Sequence, residues 1–470
     1  MFKISAAYNS ILNFHSARVK VLLASAWILL LFSLCAHATE LDDYIAAPDA
    51  NYKYEIVDTQ KGEGYTAYII KMTSQTWRKA SEIDSIIWWH WLTIIKPDKV
   101  DYDKSLLWID GGSNKDTAPT KPDNMLLKIA LKTNSIVSDL KMVPNQPLTL
   151  QGQRKNCYED AIIARSIDMC FKTDDYTWPL FLPMTKSAVR AMDTIQKVIE
   201  EKTKGKLKVN NFIVSGASKR GWTTWLTAAV DKRVVAIVPV VIDILNVNDH
   251  MQHHHDAYGF YAEAIGDYDE MNIMARLDTA KGQKIRKIID PYEYIDRLTI
   301  PKLLINASGD QFFLPDSSQF YFNRLQGEKH LRYIPNVGHS LQDSDAAKSL
   351  ASFYLSILDK SQRPKVTWSY DSENNLRIEA NQKPQLVKSW QATNKTARDF
   401  RINIIGKAWE SKILKPDKDG KYLVKIQEPA KGWTGFFVEM TFAGKDDIPF
   451  IFTTNIKVLP ETLPFKSQNK

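Results

Sequence analysis

Asn211-Phe-Ile-Val-Ser215-Gly216-Ala217-Ser218-Lys219-Arg220-Gly221-Trp222 runs an apolar strand into a helical segment through a serine bracketed by small residues. A turn of this kind strains the serine backbone so that its hydroxyl projects above a sheet, and the small neighbours let strand and helix pass closely. The common form of such an elbow has glycine two residues before and two after the serine. Here the second glycine, Gly221, comes three after, with Arg220 in between. By itself the motif is also compatible with a strand-serine-helix junction that has no chemistry.

The partners that follow in the chain decide between these readings. Ile300-Pro-Lys-Leu-Leu-Ile-Asn-Ala-Ser-Gly309-Asp310 places a carboxylate just past a second buried run, and Pro335-Asn-Val-Gly338-His339 places an imidazole past a third. Serine is a weak nucleophile until an imidazole takes its proton, and a carboxylate fixes the tautomer and steadies the imidazolium. Ser218, Asp310 and His339, in that order, are the expected catalytic residues of an α/β-hydrolase fold. Two other acids compete for the third role. Asp316 reads as an N-cap for a helix over 316–325, and Asp243, at the end of an earlier strand, is the runner-up.

A developing oxyanion needs backbone donors. The glycine turn in Leu107-Trp-Ile-Asp110-Gly111-Gly112-Ser113-Asn114 offers the amide of Gly112 or Ser113, and the residue after the nucleophile offers that of Lys219. The Lys219 ammonium is expected to face solvent, with a part in the same oxyanion task as the alternative.

The rest of the chain fits a mostly parallel, doubly wound sheet. Extended runs between 54 and 97 suggest leading antiparallel strands. Beyond them, buried strands at 106–109, 212–215, 234–241, 303–306 and 332–335 alternate with helical segments at 185–202, 219–230, 316–325 and 345–358. Two stretches interrupt the alternation and read as lid insertions, at about 144–183 and 243–291. The second contains Asp249-His250-Met-Gln-His253-His254-His255-Asp256. The His250 and His254 pair has helical spacing, but the glutamate base of a zinc-hydrolase helix is missing, so no metal and no cofactor is assigned. His250, His254 and Tyr258 are taken instead as candidates for a substrate cleft, with aromatic packing in the lid as the alternative for Tyr258, Tyr261 and Tyr268.

After 362 the helical texture stops, and short strands suggest a C-terminal β-sandwich, immunoglobulin- or fibronectin-like, over 363–470. Its Trp390, Trp409 and Trp433 read as core residues, with a sugar- or peptide-binding surface as the alternative. The hydrolase domain then spans 39–362.

At the start, Lys3, Arg18 and Lys20 precede the apolar run 21–34 and the triplet Ala36-His37-Ala38. That run is shorter than the ~20 residues a bilayer span needs, so 1–38 reads as a cleaved signal peptide rather than a retained anchor. Export makes the destination the periplasm or the cell exterior. It also makes Cys157 and Cys170, the two cysteines left after cleavage, an expected disulfide; two unlinked buried thiols are the alternative. The formal net charge of +8 includes the three basic residues of the leader and is otherwise spread along 470 residues, which gives no patch for nucleic acid. A composition of 44% hydrophobic and 25% charged residues excludes a disordered or polytopic membrane chain.

The chain resembles the PhoPQ-activated pathogenicity-related protein family over nearly its whole mature length. The resemblance rests on 106–114, Glu159-Asp160-Ala161-Ile162-Ile163-Ala164, 178–193, 214–222, 307–317, 389–401 and 432–439. It implies an α/β-hydrolase domain with a trailing sandwich, export, and a virulence or signalling association more firmly than any substrate. The offset glycine of the elbow is also similar to that of glucuronoyl esterases, where a basic residue follows the serine; no other feature carries a glucuronate substrate over. The expected activity is a serine hydrolase cleaving a small-molecule, peptide or glycan ester or an amide through an acyl-enzyme. The alternative is a non-catalytic secreted signalling protein that keeps the fold and binds a protein partner.

Overall fold

In the computed structural model, which describes residues 38–152 and 156–466, the early extended runs form three antiparallel strands. They are β1 (Lys53–Gly62), β2 (Tyr65–Thr76) and β3 (Ile87–Pro97). Residues 38–43 belong to one unit and the residues from Tyr44 onward to another. The expected leader lies outside the described residues except for Ala38. Among the described residues no helix is long and apolar enough to cross a membrane.

The short apolar runs become β4 (Lys104–Ile109), β6 (Asn211–Ala217), β7 (Val234–Val240), β8 (Lys302–Ala307) and β9 (Lys329–Ile334), and a further strand that was not expected, β5 (Ile136–Leu140), completes the parallel core. They are near-continuously buried because crossover helices cover a parallel sheet on both faces. Their order is β5-β4-β6-β7-β8-β9, with β3 antiparallel to β5 at one side. The helix Lys219–Val230 follows β6 as expected, and the helix expected from 185 already starts at Phe181 and ends at Lys202.

Both insertions contain helices. Glu159–Thr173 lies in the first, and Val247–Tyr258 and Ala280–Ile289 lie in the second. The helix expected over 316–325 is instead two 3-10 turns, Ser317–Phe320 and Phe322–Arg324. The side chains that should open that helix bond elsewhere: Ser317 Oγ donates to the Leu314 carbonyl, and Asp316 faces a histidine and an arginine.

The segment after 362 is built of two sheets, and one of them is continuous with the core. β10 (Val366–Tyr370), β11 (Leu376–Ala380) and β14 (Tyr422–Val424) form a small sheet of their own. β12 (Leu386–Asn394), β13 (Glu410–Ile413), β15 (Trp433–Phe442), β16 (Phe450–Thr453) and β17 (Lys457–Leu459) extend the main sheet to fourteen strands through the β9–β16 pair. The division near 362 is therefore one of sequence and layer. Trp409 packs on Phe400 and Phe437, and Trp390 stacks on Phe437 with ring centroids 6.4 Å apart. Trp433 is half-buried, with Nε1 donating to the Thr462 carbonyl.

Cys157 and Cys170 are buried and not joined to each other. Cys157 sits just before the helix Glu159–Thr173 and Cys170 lies in its last turns. At 1.5 Å per residue the helix holds them about 16 Å apart along its axis, beyond the ~7 Å that a disulfide can bridge. Burial pushes the Cys170 thiol up to about 12.

Candidate active site

Ser218, Asp310, His339 and the glycine turn after β4 all follow the carboxyl ends of parallel strands, the edge where open α/β sheets carry their sites. Ser218 has φ 58° and ψ −127°, an outlier for a residue with a side chain, as a nucleophile elbow demands. The offset glycine also has a physical reason. A Cβ on Gly216 would meet the Arg220 carbonyl at 2.8 Å, and one on Gly221 would meet Ile242 at 2.7 Å and the Gly216 carbonyl at 2.9 Å. The two glycines face each other across the turn, so the second can stand one residue later than usual.

The structure brings the three expected residues into series. His339 Nε2 lies 2.9 Å from Ser218 Oγ, and Nδ1 lies 2.9 and 3.0 Å from the two Asp310 carboxylate oxygens. Asp310 is buried, and one of its oxygens also accepts from the Phe312 amide at 2.8 Å. The imidazole packs on the Phe312 ring at 4.2 Å, and its own backbone amide donates to Gln311. With Nδ1–H held by Asp310, Nε2 is left to accept the serine proton.

The competing acids have other occupations. Asp316 stands at the N-cap position of the turn Ser317–Phe320, but its side chain makes no capping bond and is a buried anion between Arg398 Nη2 at 2.6 Å and His253 Nε2 at 3.1 Å. Burial would raise its carboxyl, and those two partners hold it far below the usual range instead. Asp243 accepts hydroxyl bonds from Tyr321 and Tyr333, while His339 Nδ1 is held by Asp310. Burial pushes it up to about 7 against the two tyrosine bonds, with the charges of Asp310 and Asp316 adding to the rise.

Asp243 carries a stability consequence with a definite sign. The folded chain keeps a proton that the unfolded chain releases near 3.8, so this contribution is full below that value and is lost as pH rises through about 7. Asp243→Asn cannot ionise. In melts from pH 4 to 8, the stability of wild type relative to this variant is expected to fall up to about pH 7 and then level off. A difference that rises with pH would refute the assignment.

Of the oxyanion donors, the Ser113 amide is already committed to Asp116 Oδ2 at 2.8 Å, which removes it from the role. Gly112, at φ +131°, and the Lys219 amide, in the first turn of its helix, remain. The Lys219 ammonium does not face solvent. It is buried between Glu159 Oε2 at 2.7 Å and Asp160 Oδ2 at 3.0 Å, and Asp160 also accepts from the Tyr268 hydroxyl.

Glu159 ties this corner together. Both of its oxygens take the Arg220 guanidinium, at 2.6 and 2.7 Å, and Arg220 Nε reaches the Val143 carbonyl. Gln146 bridges Glu159 to the Gly112 carbonyl. A Cβ on Gly111 would lie 2.8 Å from Arg220 Nη2, so the glycine turn and the elbow are clamped against one guanidinium. Burial alone would raise the Glu159 carboxyl, but Arg220 and Lys219 outweigh it and hold it at about 2. If this clamp positions the oxyanion donors, Glu159→Gln is expected to lower kcat on an ester about 10- to 100-fold with a much smaller change in KM; equal changes in both would contradict that role.

The three expected cleft residues do not reach the serine. His250, His254 and Tyr258 lie on the helix Val247–Tyr258 and are buried among other partners. His250 Nε2 pairs with Ser317 Oγ at 2.6 Å, and His254 Nε2 accepts from the Ala262 amide. Burial, with neighbouring His253 adding, pushes His250 down to about 3; burial and several cations push His254 well below its usual value, so both are neutral. Val247 and Met251, one helical turn apart near the start of that helix, line the space beside Ser218 instead.

A serine, an imidazole and a carboxylate meet at the carboxyl edge of the parallel centre of a mixed sheet, with crossover helices around it, and together fold and site define an α/β hydrolase fold. The profile of the PhoPQ-activated pathogenicity-related proteins matches residues 41–401, and the chain belongs to that family. It is 36% identical over 471 residues to "Autocrine proliferation repressor protein A" of Dictyostelium discoideum, covering 94% of each chain. Solved structures that it resembles include an acetyl xylan esterase from Paenibacillus sp. R4, with 12% identity, TM-score 0.49, and 68% of this chain and 92% of that one covered. Another is a glucuronoyl esterase from Solibacter usitatus, with 12% identity, TM-score 0.41, and 69% and 92% covered.

Proposed function

We propose that this protein is an exported serine hydrolase that cleaves an ester, or an amide, through an acyl-enzyme. One observation carries the reading: a single imidazole spans the Ser218 hydroxyl and the Asp310 carboxylate at hydrogen-bond distance on both sides. Ser218 Oγ attacks the substrate carbonyl carbon while His339 Nε2 takes the hydroxyl proton. The tetrahedral oxyanion is met by the Lys219 and Gly112 amides. The bond to the leaving oxygen or nitrogen then breaks, and His339 returns its proton to that atom. A water deprotonated by His339 attacks the acyl carbon, and Ser218 is regenerated as the acid leaves.

Export rests on the basic-then-apolar leader before Ala38 and places the activity in the periplasm or outside the cell. The family description supports a virulence association. The name of the relative from Dictyostelium favours a second reading, a signalling protein that keeps the fold and binds a protein partner.

Labelling by a fluorophosphonate probe separates the two. Wild type is expected to form an adduct that Ser218→Ala does not. Absence of an adduct on folded wild-type protein would favour the signalling reading.

A further inference from the structure

Beside Ser218 lies a cavity of about 70 Å³ whose wall is almost wholly apolar. The second insertion supplies much of it, through Val247, Met251, Ile273 and Leu277, and the elbow's own helix adds Trp222, stacked on Phe181 at 4.5 Å. These six side chains are all buried. The polar side chains of the wall are already engaged: Tyr268 donates to Asp160, Asp160 pairs with Lys219, and Arg286 Nε donates to the Leu277 carbonyl.

We infer that this cavity is an acyl-binding pocket and that the enzyme prefers esters of short, unbranched acids of about two to four carbons. The inference rests on the serine hydrolase reading and adds the substrate class to it. A mostly apolar wall whose polar side chains already have partners leaves little to hydrogen-bond a sugar or a peptide amide, and burying such a group there without a partner is unfavourable. The half of an ester that stays on Ser218 Oγ after the first bond breaks is the acyl group, so the acyl group needs a place at the serine, whereas the alcohol must depart to solvent. Size sets the length. An apolar cavity of about 150 Å³ accepts benzene, and one of about half that volume has room for about three carbons beyond the carbonyl.

Each methylene that enters an apolar pocket contributes about 0.8 kcal/mol, or about fourfold in kcat/KM. Among p-nitrophenyl esters, kcat/KM is expected to rise about tenfold from acetate to butyrate and to fall at least about tenfold by octanoate. Leu277→Ala and Met251→Ala, which lengthen the pocket, are each expected to move the optimum to hexanoate or octanoate. The pair is used so that a folding defect in one leaves the other informative. A flat profile, a wild-type optimum at octanoate, or an optimum unmoved in both folded variants overturns the pocket while leaving the hydrolase reading standing, provided Ser218 still takes the fluorophosphonate. No hydrolysis of any ester together with no adduct overturns both.

Discussion

Ser218→Ala and His339→Ala are each expected to lower kcat on an ester by about 10⁶-fold, and the double variant to lower it little further, because nucleophile and base act as one unit. Asp310→Asn should retain the geometry yet cost about 10⁴-fold, since an amide cannot hold the imidazole in the tautomer that leaves Nε2 free to accept. Asp243→Asn discriminates between the two acids. Asp243 bonds two tyrosines and not the histidine, so its replacement should leave kcat within a few-fold of wild type. Single-turnover kinetics on all five variants, with a circular dichroism check of folding, would decide the matter. A loss at Asp243 as large as at Asp310 would reassign the third member.

Arg332→Ala is the substitution expected to destabilise the fold most. The guanidinium sits on β9 at 3% exposure, with Nη1 on Glu439 of β15 at 2.6 Å and Nη2 on Asp345 at 2.9 Å. Asp345 stands just before the helix Ala346–Leu358, so this one side chain joins the last parallel strand, the helix after it and a trailing strand. Removing it strands the buried Glu439 carboxylate without a cation, which costs about 3–5 kcal/mol. Replacing the buried pair with apolar residues, Arg332→Met with Glu439→Leu, should recover most of that loss, because no buried charge is left unpaired and the more exposed Asp345 stays in contact with water. Lys99→Ala is the control: its pair with Asp101 is exposed and should contribute less than about 1 kcal/mol. Urea denaturation of the variants measures all of these, and a loss below about 1 kcal/mol for Arg332→Ala would contradict the account.

The parts of the fold that were legible in the sequence are those whose cause is local. β6, β7 and β8 are continuous apolar runs because they are buried on both faces, and the elbow glycines mark a close approach within six residues of each other. The order of serine, acid and histidine needed only strand ends. β5 escaped because Ser138 and Asp139 interrupt its apolar pattern, and nothing local says that Lys141 answers the Asp139 charge. The Glu159 clamp escaped for the same reason at longer range. Arg220 was visible as the residue that displaces the glycine, and Glu159 as part of a characteristic segment, but their pairing depends on how the first insertion folds back. The histidine run misled because helical spacing says which side chains are neighbours without saying what each will bond, and His250 and His254 are taken by Ser317 and the Ala262 amide.

The single sheet that runs from the leading hairpin into the trailing strands also bears on how the chain protects itself. β9 has β8 on one side and β16 on the other. A protein ending at 362 would present that flank of β9 bare, an open row of amides and carbonyls ready to recruit a strand from a neighbouring molecule. The C-terminal segment thus works as a built-in guard against self-aggregation, and domain-wise dissection of this protein would create the very hazard that the intact chain avoids.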